Sequence, residues 1–139
     1  MTRWRISNGQ SKRAKLNLLL DTHILIWWLA DDPRLSNRAR EAIEKCDSAW
    51  VSAVSAWEIE EKRSRRLLDA PDDLEEVLPR YALNTLTLTL HHATVAGRLP
   101  RNHGDPFDRM LVAQAQVEGL TVLTVDKRMA EYGVPVLLV

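Results

Sequence analysis

Cysteine is nearly missing from this chain. Cys46 stands alone among 139 residues, so no internal disulfide can form and a reducing compartment suits it. Long apolar runs are missing too: the longest, "ILIWWLA" (24–30), falls far short of the ~20 residues a membrane-spanning helix needs. There is no G-x-G-x-x-G and no P-loop, so dinucleotide and nucleoside-triphosphate binding have no anchor. No Cys/His set offers a zinc site. Internal repeats, low-complexity tracts and an obvious linker are also lacking. Net charge is nil, but it is unevenly spread. Residues 1–15 carry five basic groups and no acid, leaving 14 basic against 19 acidic groups in residues 16–139, a net of −5. This leader lacks the apolar stretch of a signal peptide, which argues for the cytoplasm. It reads either as a disordered start ahead of a single domain at 16–139 or as a basic arm touching nucleic acid.

What is present is the composition of a soluble globular protein, 45% hydrophobic and 27% charged. The continuously apolar "LNLLLD" (16–21) predicts a strand buried on both faces. Helical patterns follow at 22–30 and at 36–46, the second with Ser36 as N-cap. "AWVSA" (49–53) predicts a second strand, "VSAWEIEEKRSRRLL" (54–68) a helix, and "PDDLEEVLPRYAL" (71–83) another with acids in its first turn. "TLTLTL" (85–90) alternates like a strand, and "HHATVAGRL" returns to helix. A helix at 105–119 ends near Gly119; a strand at 120–125, a short helix near 127–132 and a last strand at 134–139 close the chain. Strands alternating with helices imply an α/β sandwich around a mainly parallel sheet. In such sheets, sites form beyond the carboxyl ends of the strands.

That rule picks out acids. Asp21 and Asp126 each follow an apolar strand. Singly, each reads as an ordinary helix cap or turn residue; both at one sheet edge are harder to dismiss. In "DPFDRM" (105–110), Asp105 fits the N-cap, Pro106 position N1 and Asp108 position N3. Asp108 shares its face with Leu111, Val112 and Ala115, so it points toward the sheet, although an acid at N3 also suits the helix dipole. Glu58 lies between Trp57 and Ile59 near the apolar part of its helix, with a surface ion pair as its ordinary alternative. Carboxylates crowded at one edge repel one another and lose hydration. Either their pKa values rise or a cation neutralises them. With oxygen donors alone, that cation is Mg²⁺ or Mn²⁺ rather than zinc.

These residues resemble a PIN domain, specifically a VapC-type toxin of a toxin–antitoxin pair. The matching segments are "LLLDTHILIWWL", "VSAVSAWEIEEK", "LPRNHGDPFDRMLVAQA" and "GLTVLTVDKRMAEYGVPVL", in family order across residues 18–137. Asp21 precedes Glu58 by 37 residues, and Asp108 precedes Asp126 by 18. The resemblance implies a three-layer α/β/α sandwich and an acidic quartet of Asp21, Glu58, Asp108 and Asp126 holding one or two metal ions. It matches Thr22 and Thr124 to hydroxyl positions beside that quartet, and Arg109 to a basic position after the third acid. It further implies metal-dependent hydrolysis of structured RNA such as tRNA or rRNA, leaving a 5′-phosphate and a 3′-hydroxyl. A VapB-like antitoxin and a homodimer are implied as partners. The basic leader and Gly104, where relatives often carry a basic residue, depart from the pattern.

Other residues carry alternatives. Lys62, Arg63, Arg65 and Arg66 follow Glu58 and read as RNA contacts or as a solvated helix face; Arg109 reads as an RNA contact or a surface salt bridge. His103 lies near the acids and is a possible substrate contact. His23 is expected to be non-ligating, and His91 and His92 to face water. Trp27, Trp28 and Trp57 read as core, with one of the adjacent pair left as a surface patch for a partner. Two competing functions stand beside the nuclease. One is a catalytically weak PIN fold that only binds protein. The other is a phosphatase-like use of Asp21, for which "DTH" lacks the second Asp of a D-x-D loop.

Overall fold

Leu18, Leu19 and Leu20 have no exposed surface because the strand they form is covered on both sides. This strand is β1 (Asn17–Leu20) in a computed structural model that describes residues 15–71, 73–101 and 104–139. Both expectations for the basic leader fall outside the described residues, apart from Lys15, and so does the one for His103. After β1 come α1 (Thr22–Ala30), α2 (Asn37–Lys45), β2 (Ser48–Ser52), α3 (Ala53–Ser64) and α4 (Leu74–Arg80). Then follow β3 (Asn84–Leu86), α5 (Leu90–Arg98), α6 (Pro106–Glu118), β4 (Thr121–Thr124), a 3₁₀ turn (Lys127–Tyr132) and β5 (Val136–Leu138).

The described strands form one sheet in the order β3-β2-β1-β4-β5, with every pair parallel. Side chains alternate across it at period two. Leu18 and Leu20 join Ile24, Leu25, Ala39, Ile43 and Leu78 from α1, α2 and α4. Leu19 faces the other way, into Leu111, Val112 and Ala115 of α6 and Met129 of the 3₁₀ turn. Two apolar clusters on opposite faces make the expected α/β/α sandwich, and each fully buried leucine contributes about 1.5–3 kcal/mol. From β1 the chain steps outward to β2 and β3, then crosses back to β4 on the other flank of β1. Connections leave the carboxyl ends of β1 and β4 in opposite directions, which opens a crevice between them.

Caps fall where the sequence puts them. Ser36 accepts from Ala39 N–H at 3.1 Å, and Gly119 ends α6 with φ 69°, a conformation glycine adopts without steric cost. Three expectations need correction. Strand β3 (Asn84–Leu86) takes in only the first two residues of "TLTLTL", because Thr89 closes a capping box with His92 and starts α5 instead. The helix expected through residue 68 stops at Ser64. Arg66 turns left-handed with φ 58°, and Leu67 N–H returns to the Lys62 carbonyl at 2.9 Å. Among the tryptophans, Trp27 and Trp28 both pack partly buried against the core, whereas Trp57 is 58% exposed.

Candidate functional site

Asp21 follows β1 directly, at the edge of the crevice. Its backbone N–H donates to Leu123 O of β4 at 3.0 Å, which pins it across the gap. Its Oδ1 accepts from Thr22 N–H at 2.7 Å and its Oδ2 from the Thr124 hydroxyl at 2.6 Å. Burial pushes its pKa above the ordinary value. The bonds from Thr124 and Thr22 oppose that shift, and the charge of Glu58 adds to it. Thr124 also accepts from Asp126 N–H at 3.0 Å, so one hydroxyl at the end of β4 ties two acids together.

Glu58 arrives from α3, buried, with both oxygens engaged. Oε1 accepts from the Thr22 hydroxyl at 2.7 Å, and Oε2 accepts from Lys62 Nζ at 2.9 Å, one helical turn later. Thr22 Oγ1 also lies 3.0 Å from Ser55 Oγ. A hydroxyl has one proton; given to Glu58, it leaves the Thr22 oxygen to accept from Ser55.

Asp108 occupies N3 of α6. Asp105 is the N-cap, accepting from Phe107 N–H at 2.9 Å and Asp108 N–H at 3.3 Å. The buried Leu111, Val112 and Ala115 lie on the same face as Asp108, which is itself buried. Its pKa is pushed up to about 7, first by burial and then by the negative charges of Asp105, Asp21, Asp126 and Glu58. One carboxyl feels all those charges because the chain folds them toward a common crevice. Asp126 lies two residues beyond β4 and caps the 3₁₀ turn by accepting from Arg128 N–H at 3.0 Å. The Arg128 guanidinium forks onto the same carboxylate, Nε to Oδ1 at 3.1 Å and Nη2 to Oδ2 at 2.8 Å.

No three Asp, Glu, His or Cys groups among the described residues form a ready metal cage. The charge is met instead by Lys62 on Glu58, by Arg128 on Asp126, and by raised proton affinity at Asp21 and Asp108. An oxygen-only set that strains for positive charge fits a hard divalent ion, which would have to draw the carboxylates together.

Other residues singled out in the sequence lie elsewhere or do other work. Arg109 is buried, with its guanidinium donating to the carbonyls of Pro100 at 2.7 Å, Ala96 at 2.8 Å and Leu99 at 2.9 Å. It secures the end of α5; it is neither a surface salt bridge nor open to a phosphate. Arg63 likewise donates to the carbonyls of Ala70 and Pro71. Arg65 is exposed and pairs with Glu61 at 3.2 Å. His23 is exposed and tilted against Trp27, and His91 is exposed. His92, expected in water, is buried: its Nδ1 accepts from Thr89 N–H at 3.0 Å, so Nε2 carries the proton toward Glu118 at 2.8 Å. Ser55 was missed by the sequence reading. Its spacing of three before Glu58, one helical turn, was the available signal. A cleft of about 490 Å³ between α3, α4 and β3 has a mostly apolar lining and includes none of the four acids.

Residues 18–135 match the family model for the PIN domain. The chain is similar to Ribonuclease VapC22 of Mycobacterium tuberculosis, 33% identical over 123 residues, covering 85% of this chain and 93% of that protein. Among solved structures, DNA-bound VapBC from Salmonella typhimurium aligns with a TM-score of 0.65 and 21% identity, covering 88% of this chain and 97% of that one. VapBC2 from Rickettsia felis, bound to a DNA fragment from its promoter, aligns with a TM-score of 0.63 and 12% identity, covering 88% and 98%. At such identities the structural likeness speaks for the fold.

Proposed function

Because the chain belongs to the PIN-domain family, we propose that it is a VapC-type ribonuclease, the toxin of a toxin–antitoxin pair, cutting structured RNA such as tRNA or rRNA with Mg²⁺ or Mn²⁺. The observation that carries the reading is electrostatic: Asp108 feels the charges of Asp21, Glu58 and Asp126, brought in from β1, α3 and the end of β4. Asp21, Glu58, Asp108 and Asp126 would hold the ion. When bound, it would lower the pKa of a water and offset charge on the scissile phosphate and leaving oxygen. The protein's own part is positional. Thr124 orients Oδ2 of Asp21, Thr22 orients Oε1 of Glu58, and Asp105 fixes the first turn of α6 so that Asp108 faces the crevice. Lys62, Arg65 and His103 remain candidates for RNA contact; Arg109 does not.

The partners proposed are a VapB-like antitoxin, supported by the VapBC complexes among the structural relatives, and a second copy of the chain. No described helix is long and apolar enough to cross a membrane, and a cytoplasmic setting suits an RNA substrate. A second reading, a PIN fold that only holds a partner, draws support from Lys62 and Arg128 sitting on two of the acids. One assay separates the two. On the nuclease reading, RNA incubated with the protein and Mn²⁺ should be cut to 5′-phosphate ends, and Asp21→Asn and EDTA should each abolish cutting. Cleavage that survives Asp21→Asn would remove the nuclease assignment.

A further inference from the structure

Two cations border the crevice on carboxylates, and they differ in kind. Arg128 and Asp126 pair with side chains 58% and 24% exposed, where water and salt leave such a pair with little energy. Lys62 and Glu58 pair with side chains 34% and 8% exposed. Both oxygens of Glu58 are engaged, Oε1 by the Thr22 hydroxyl and Oε2 by Lys62. A divalent ion reaching Oε2 would meet an ammonium already at 2.9 Å, and two cations cannot share that position without strong repulsion. Lysine has a flexible four-carbon stem, so its charge can move off while the helix stays in place. Two neighbours of Lys62 are otherwise engaged: Arg63 is held by the carbonyls of Ala70 and Pro71, and Arg65 leans on Glu61.

We propose that Lys62 is the resident counter-ion of Glu58, holding that acid when no divalent ion is bound and releasing it to an incoming ion, its ammonium passing to an RNA phosphate. The inference rests on the ribonuclease reading and adds a regulatory property to it. Metal alone binds against the pull of Lys62. Metal with RNA binds more tightly, because the displaced ammonium finds a new anionic partner. By linkage, RNA binds more tightly in the presence of metal by the same factor.

The test is Mn²⁺ titration by calorimetry on the full chain, without RNA. Lys62→Met, which keeps the stem and removes the charge, should bind Mn²⁺ about fivefold or more tightly than wild type; Lys62→Arg should not. Melting adds a readout independent of turnover. In EDTA, Lys62→Met should melt below wild type, because Glu58 has lost its partner, and Mn²⁺ should raise its melting temperature by more. If circular dichroism shows Lys62→Met unfolded, Lys62→Gln carries the same expectations. At saturating Mn²⁺, the variant should show a higher KM for RNA with a smaller change in kcat. Equal or weaker Mn²⁺ binding by the charge-free variant would overturn the proposal while leaving the nuclease reading intact. A wild type that takes up no more Mn²⁺ than Asp21→Asn would end both.

Discussion

Asp105 and Asp108 lie one helical turn apart and answer to different forces. Asp105 satisfies two N–H groups at the start of α6, a contribution that Asp105→Ala should lower by about 1 kcal/mol in a melting experiment, and that Asn, an equally good cap, should largely keep. Asp108 is held where its charge is unwelcome. Folded, its carboxyl ionises near 7; the ordinary value is 3.8. Between those values the folded chain keeps a proton that the unfolded chain has released, so stability falls as pH rises through that window and is lowest above it. In EDTA, Asp108→Asn should therefore melt above wild type at pH 8, with the gap shrinking at pH 5; with Mn²⁺ added, it should cut no RNA at either pH. A gap of the same size at both pH values would refute the electrostatic account. The same sign makes Mn²⁺ uptake stronger as pH rises toward 8, since ligands must first lose protons.

At the scale of elements, α5 is held to α6 at both ends. Near its start, His92 donates through Nε2 to Glu118; at its end, Arg109 collects the carbonyls of Leu99 and Pro100 and shares that of Ala96 with the Leu99 N–H. Arg109→Met should cost roughly 3 kcal/mol, read as a lower denaturation midpoint, because several buried acceptors lose a charged donor together. Arg109→Lys should recover only part, since a point charge cannot replace the planar fork. If Arg109 served RNA instead, Arg109→Met would raise KM and leave stability unchanged. Nothing in "DPFDRM" announces this duty, because the carbonyls concerned belong to another helix.

Across the whole molecule, the parallel sheet gathers residues from 21 to 126 at one edge and leaves apolar side chains on the outside. Leu90 is 86% exposed and Leu88 41% exposed, beside the short edge strand β3. The proposed self-association predicts that Leu90→Glu shifts the mass measured by light scattering from two chains to one without changing the fold. A mass of two chains that survives this change would move the contact elsewhere, with Leu67, 68% exposed, and Trp57, 58% exposed, next in line.

Periodicity, caps and the order of strands and helices belong to neighbouring residues, so the sequence by itself determined the α/β alternation, the caps at Ser36, Asp105 and Gly119, and the positions of the acids relative to their elements. It had no means to tell inward from outward for long side chains. Arg109, Arg63 and His92 turn inward, and Trp57 stays out, because of carbonyls, carboxylates and apolar surfaces supplied by distant segments. "TLTLTL" kept strand periodicity but gave way where the Thr89 hydroxyl found His92 N–H and began a helix. Only the tertiary structure decided which strands adjoin, and therefore that Thr124 reaches Asp21 across 103 residues of chain. Hydrogen bonds and Coulomb forces act over a few ångströms of space, whatever the separation along the backbone.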